Sequence, residues 1–258
     1  MRVLVTFAVP AEFASWKRQH KFTRMAGMPA GLDFARCPMF QTRLGKTEVV
    51  VALTGIGAIR ARRAARYALQ CGPDVCISSG LAGALKDQYK RGDLLAAAQV
   101  AEARGKRVFA CDPALVERAG ACGARLVQRF LTNPTVVGSS KAKRAMGALG
   151  DAVEMESLGV LAAAHAANTP AVAIRVISDD AGQDLPVDFN RVLTAKGKVR
   201  PVRLLSSIAA EPRSLRGLLQ LAGDSKRASA GLAEFLDAYI ADLAERAGSS
   251  TAAVAAGR

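Results

Sequence analysis

Between Ala171 and Ile177 every residue but Arg175 is apolar, at odd and even positions alike, so a strand here has to be covered on both faces. That requirement constrains the whole chain. A strand of this kind lies in the middle of a sheet with helices above and below it, and the preceding stretch supplies one helix. Leu158 to Ala167 is small or apolar without a breaker, buried on most sides, and closed by Thr169-Pro170. Glu48 to Thr54 and Asp74 to Ser79 read as further central strands, and Arg2 to Phe7 as a first strand ending at Ala8-Val9-Pro10. Helices are expected over Ala11 to His20, Ala58 to Gln70 and, capped by Asp112-Pro113, Asp112 to Cys122. Phe34 to Leu44, Arg125 to Phe130 and Thr135 to Gly138 read as additional strands, and Lys21 to Asp33 as a polar connection. The alternation implies an α/β fold with a mixed, largely parallel sheet. A chain of 258 residues, half of them hydrophobic, suits one large domain over 1–246, with 247–258 as a small, polar, frayed tail.

In sheets of this kind ligands bind outside the carboxyl ends of the strands. Ser178, Asp179 and Asp180 follow Ile177 directly. Glu154 and Glu156 stand where the chain enters the buried helix; the helix dipole favours a carboxylate there, and within a pocket it can hold a hydroxylated ligand. Glu12 lies just past the first strand. Gly55 and Gly57 after the second central run, and Gly80 after the third, let backbone N–H groups approach an anion or a ribose closely. The first of these turns is not a dinucleotide site, because Arg60 replaces the third glycine and Asp74 falls at the start of the next strand. Taken singly, the acids also fit caps and turns.

The formal charge of +14 calls for an anionic surface or partner, yet Lys and Arg fall in short scattered groups, such as Arg60, Arg62, Arg63 and Arg66, or Lys141, Lys143 and Arg144. Aromatic residues make up 5% and none interleave with these groups, which argues against nucleic acid as a partner. No apolar run is long enough to span a bilayer, and the first residues enter a strand without the layout of a cleavable signal, so a cytoplasmic location is expected. The odd set of five cysteines, with no C-x-x-C pair, suggests reduced core residues and no metal site. His165, in the alanine-rich helix, reads as a satisfied core histidine.

The segment from Val153 to Ala181 resembles the signature of the nucleoside phosphorylase and nucleosidase superfamily, which includes the methylthioadenosine/adenosylhomocysteine nucleosidases. Met155-Glu156-Ser157 matches its acidic turn and Arg175-Val176-Ile177-Ser178-Asp179 its strand end. Gly55-Ile56-Gly57, the loop from Ser79 to Leu85 and Gly92-Asp93-Leu94 match further motifs in order. Leu185-Pro186, the step from Gly197 to Pro201, and helices from Pro201 and Leu215 are similar to the tail of hopanoid-associated nucleoside phosphorylases, which remove adenine from a lipid-linked nucleoside.

The resemblance implies a three-layer αβα, phosphorylase/hydrolase-like fold and an enzyme that breaks the N-glycosidic bond of a purine nucleoside. It implies no metal and no organic cofactor, inorganic phosphate as a possible co-substrate, and a homo-oligomer, by family habit a dimer. By the same resemblance Asp179 protonates the purine at N7, and Glu12 is the base toward an attacking water. Glu156 holds the ribose hydroxyls, Met155 packs on the sugar face and Arg175 orients the acids. Ser178, Gly55, Gly57, Gly80 and Leu81 complete the substrate-binding set. Leu81 departs from the family's serine or threonine, and Ser139-Ser140-Lys141-Ala142 stands where an aromatic stacks on adenine. The tail leans toward phosphorolysis. A hydrolytic nucleosidase and a non-catalytic nucleoside-binding protein are the alternatives. Basic and leucine residues between Lys196 and Arg227 are the candidate for peripheral contact with an anionic membrane if the nucleoside is lipid-linked.

Overall fold

The computed structural model describes residues 1–25, 37–192 and 213–256, and in the last of these the side chains of 215–246. Its strands are β1 (Arg2–Phe7), β2 (Thr23–Arg24), β3 (Met39–Leu44), β4 (Thr47–Leu53), β5 (Val75–Ser78), β6 (Leu81–Ala84), β7 (Leu94–Glu102), β8 (Val108–Ala110), β9 (Arg125–Thr132), β10 (Ala152–Glu154) and β11 (Ala171–Asp179). Its helices are α1 (Pro10–Gln19), α2 (Ala58–Ala68), α3 (Pro113–Ala121), α4 (Ser140–Met146), α5 (Ser157–Ala166), α6 (Phe189–Val192) and α7 (Arg213–Ala256). The last helix continues into the stretch expected as a tail. None of the described helices is long and apolar enough to cross a membrane.

The strands form one mixed sheet in the order β2-β3-β4-β1-β5-β11-β6-β10-β9-β7-β8. Its centre is parallel from β4 through β1, β5 and β11 to β6, whereas β2 and β3 add antiparallel strands at one edge. On the far side β6 and β10 run antiparallel, and β7 pairs antiparallel with β11 itself, so this half of the sheet closes on itself. Every residue of β11 is buried, as its two-sided apolar pattern requires. Both α5 and α7 pack against it.

The helix layers are tied by specific contacts. Gly159 lets α5 lie directly on α2, since a Cβ there would come within 2.0 Å of the Ala58 carbonyl oxygen. Opposite, α1 packs on α7, where Asp237 accepts from Trp16 Nε1 at 2.7 Å and pairs with His20. Tyr239 donates to the Leu115 carbonyl at 2.8 Å, joining α7 to α3.

Two local expectations need correction. Thr135 to Gly138 is not a strand: its backbone meets no strand, Val136 N–H donating to Asn190 Oδ1 in α6 at 2.8 Å and Gly138 C=O accepting from Leu185 at 2.7 Å. Pro134, just before it, cannot donate to a ladder. His165 is exposed rather than part of the core; it lies on the outer side of α5, where Nε2 meets the Ala110 carbonyl at 2.8 Å. Of the segment from Lys196 to Arg227, residues 196–212 lie outside the described set, as does most of the connection from Lys21 to Asp33.

Candidate active site

Glu12 sits where α1 leaves β1. Pro10 starts the helix, and the Glu12 carboxylate turns back to accept the N–H groups of Ala8 at 2.9 Å and Val9 at 3.2 Å. Its other oxygen accepts the Leu81 N–H at 3.0 Å, which joins α1 to the start of β6. Gly80 makes this approach possible: its φ is +142°, and a Cβ there would lie 2.7 Å from Glu12 Oε1. Burial pushes the Glu12 carboxyl up, against the Leu81 N–H and the charge of Arg175, which lower it. Leu81 thus contributes its backbone and no hydroxyl. Gly55, at φ +75°, donates to the Ala8 carbonyl at 2.9 Å and holds the end of β4 against that of β1.

Glu156 occupies the N-cap position of α5, half-buried, beside the half-buried Met155. Its carboxylate accepts the Gly57 N–H at 2.9 Å across the sheet end. Burial, reinforced by the neighbouring Glu154 and Glu12 carboxylates, pushes the Glu156 carboxyl up to about 8. The turn after β4 ties the two acids to the same sheet end, Gly57 bonding to Glu156 and Gly55 to Ala8, whose own N–H is held by Glu12.

Underneath is a buried strut. Arg175, the one polar residue of the β11 run, is 1% exposed, and its Nη2 donates to Glu154 Oε2 at 2.8 Å, to Ser157 at 2.8 Å and to Ser78 at 3.3 Å. The same Glu154 oxygen accepts the N–H groups of Glu156 at 2.8 Å and Ser157 at 2.7 Å. Its partner oxygen takes the Thr132 hydroxyl. Arg175 therefore acts on the Glu156 turn through Glu154, which the sequence reading placed only at the helix entrance.

Asp179 ends β11. The register slips between Ile177 and Asp179, so that two steps on β11 oppose one on β6, a β-bulge at Ser178. In a regular strand neighbouring side chains point to opposite faces. Here the bulge lets Ser178 Oγ reach Asp179 Oδ1 at 2.6 Å while staying 3.2 Å from the Ala82 carbonyl. The other carboxylate oxygen lies over Gly83, where a Cβ would come within 2.9 Å of it, and is paired with Lys143. Leu81 pairs with Val176 and Gly83 with Asp179, so two residues of β6, about 7 Å of strand, separate the Glu12 anchor from the Asp179 carboxyl.

The stretch Ser139-Ser140-Lys141-Ala142 opens α4, with Ser139 Oγ accepting the Ala142 N–H at 3.2 Å. That helix delivers Lys143, which the sequence alone leaves in one of several short scattered basic groups. The buried hydroxyl of Ser79, next to Gly80, has no partner among the described residues. Beyond Gly57 a cavity of about 660 Å³ is lined by Ile56, Arg60, Arg63, Asn133 and Leu158 among others.

A family model described as the phosphorylase superfamily matches residues 2–210. The fold is similar to that of a futalosine hydrolase mutant of Helicobacter pylori strain 26695, at 16% identity, with a TM-score of 0.69 and 94% of this chain and 99% of that one covered. It is also similar to the 5′-methylthioadenosine/S-adenosylhomocysteine nucleosidase of Neisseria meningitidis, solved in complex with methylthio-immucillin-A, at 21% identity, TM-score 0.67 and coverage of 93% and 98%. The corresponding nucleosidase of S. pneumoniae, solved with a transition-state inhibitor, shares 18% identity, with a TM-score of 0.69 and coverage of 94% and 100%.

Proposed function

The chain belongs to the phosphorylase superfamily, and from that footing we propose that it cleaves the N-glycosidic bond of a purine nucleoside, releasing adenine. One observation carries the reading. The carboxyls of Glu12 and Asp179 are held two residues apart along β6, and the turn through Gly55 and Gly57 ties Glu156 to the same end of the sheet. Breaking the bond puts positive charge on the ribose and negative charge on the leaving base. Carboxylates at the sugar end stabilise the first, and a proton delivered through Asp179 meets the second. Glu156 takes the ribose hydroxyls, Met155 the sugar face, and Glu12 the attacking water.

The geometry favours water over phosphate, against the lean drawn from the tail. A phosphate ion at Glu12 would face that carboxyl and, once Glu156 is charged, a second one, and the cation that lowers both, Arg175, is already held by Glu154, Ser78 and Ser157. Leu81 offers no hydroxyl to offset this. The cavity beyond Gly57 accommodates a 5′ substituent. In favour of a lipid-linked one stand the exposed leucines Leu215 and Leu219 at the start of α7, beside Arg216.

The test is base release from a panel of purine nucleosides with varied 5′ groups, with and without phosphate. Free ribose and adenine are the expected products. Ribose 1-phosphate formed at high phosphate would overturn the choice of water, and binding without release from any member of the panel would overturn the enzymatic reading. Co-sedimentation with anionic vesicles at low and high salt tests the membrane contact, and absence of binding at low salt would remove it.

A further inference from the structure

Lys143 has no exposed surface, although it lies in a helix whose neighbouring residues Lys141, Ala142 and Arg144 are exposed. Burying an ammonium is costly unless its charge and its protons are all met. Here they are. Nζ donates to the carbonyls of Asp180 and Gln183, each at 3.0 Å, and its third partner is the carboxylate of Asp179. An ammonium has three protons and no acceptor, so the set is complete. The two carbonyls alone would suffice to clip the segment after β11 onto α4. Pointing the third proton at Asp179 places a transferable proton in contact with the group expected to protonate the base.

We infer that Lys143 holds the proton used by the leaving purine and supplies it through Asp179, acting as a positioning residue that never touches the substrate. The inference rests on the nucleoside-cleaving reading above. In the resting enzyme the pair is ammonium and carboxylate. The proton passes from Nζ to the carboxylate, leaving a neutral amine and a neutral carboxyl. As the bond from C1′ to N9 breaks, its electron pair goes to the base, and the carboxyl gives the proton to N7. Asp179 ends as a carboxylate, and after the base departs a proton from solvent reaches the buried amine by way of that carboxylate, the one partner of Nζ that can relay it. Ser178 holds the opposite carboxylate oxygen throughout.

The experiment compares two leaving groups. One substrate is the purine nucleoside that the enzyme turns over best; the other is 4-nitrophenyl β-riboside, whose phenolate leaves without a proton. Lys143→Met keeps the stem and removes the proton store. It is expected to lower kcat on the purine nucleoside by about 100-fold or more, the usual contribution of general acid catalysis, while the nitrophenyl riboside changes by less than about fivefold. Equal losses on both substrates, or no loss on either, would overturn the inference. Lys143→Arg, the variant to use if methionine prevents folding, keeps the positive charge but in a guanidinium that does not release its proton. It is expected to show the same loss on the purine nucleoside, whereas full activity there would mean that the charge alone matters and would equally overturn the inference. A wild-type enzyme that cleaves neither substrate defeats the functional reading instead, which separates the two failures.

Discussion

Glu154→Gln removes one charge from the centre of the molecule and leaves the shape nearly unchanged. The amide oxygen can take the place of Glu154 Oε2 and keep the three donors from Glu156, Ser157 and Arg175. The amide nitrogen then faces the Thr132 hydroxyl, which already accepts the Leu158 N–H at 3.0 Å and now has to accept again. The larger effect is on Arg175, 1% exposed, which loses its counter-charge. Breaking a buried pair from one side costs about 3–5 kcal/mol. For 258 residues the entropy of unfolding is about 0.5 kcal/mol per degree, so the melting temperature should fall by about 6–9 °C. Adding Arg175→Met removes the stranded charge, and the hydroxyls of Ser78 and Ser157, 3.0 Å apart, still satisfy each other. The double variant is therefore expected to melt above the single one, without recovering base release, because the Glu156 turn stays loosened. Thermal melts followed by circular dichroism, with base release measured on the same samples, check this. A single variant melting within about 2 °C of wild type, or a double variant melting below the single one, would refute the assignment of Glu154 and Arg175 as a charge-balanced strut.

Asp179→Asn should cut base release by about 100-fold or more, and it should also lower the melting temperature, because Lys143 loses its counter-ion. Unchanged turnover would remove Asp179 from the mechanism, and an unchanged melt would contradict the buried ion pair. Glu156→Gln should cost about 2 kcal/mol in kcat/KM, roughly 30-fold, through lost charged hydrogen bonds to the ribose. In the wild type kcat/KM should climb as pH passes through about 8, where the Glu156 carboxyl becomes charged, and this step should vanish in the glutamine variant. The folded-state value lies above the unfolded one of about 4.3, so the contribution of Glu156 to stability is complete below that pH and lost as pH rises through the folded value. Denaturant titrations at a series of pH values should show that slope in the wild type and a shallower one in Glu156→Gln. Gly80→Ala combines a left-handed φ with a clash on Glu12 and should cost about 1–3 kcal/mol of stability along with most of the activity; a variant as active as wild type would argue against Glu12 as a fixed group.

The centre of the fold is legible because burial on two faces leaves a simple mark. The runs that became β4, β5 and β11, and the alanine-rich α5, each carry a pattern that demands cover on more than one side. Glu12 and Asp179 were legible as acids at strand ends, Glu156 as an acid at the entrance of a buried helix, and Arg175 as the odd residue in an apolar run. What Arg175 holds was not, because Glu154 lies 21 residues away in sequence and only the β6–β10 pairing brings it near. Lys143 was hidden more completely. It sits between exposed neighbours in a basic run, and its burial depends on an acid 36 residues later reaching the same spot, a coincidence that no local pattern records. The irregular path from Thr135 to Gly138 fits a strand by its β-branched residues, while its actual partners are Leu185 in a loop and Asn190 in the short helix α6, neither of them a strand.

β11 is hydrogen-bonded to three neighbours, to β5 along its first third, to β7 through its middle and to β6 toward its end. No local fraying can release it. Its amides can exchange with solvent only when several ladders open together, so residues 172–177 belong to the slowest-exchanging cooperative unit of the protein. The terminal carboxyl rides on that unit, whereas the residues after Asp180 are attached to it through side chains such as Lys143. Changes in the later segment can therefore accumulate while the strand, and the place of its terminal carboxyl, keep their register.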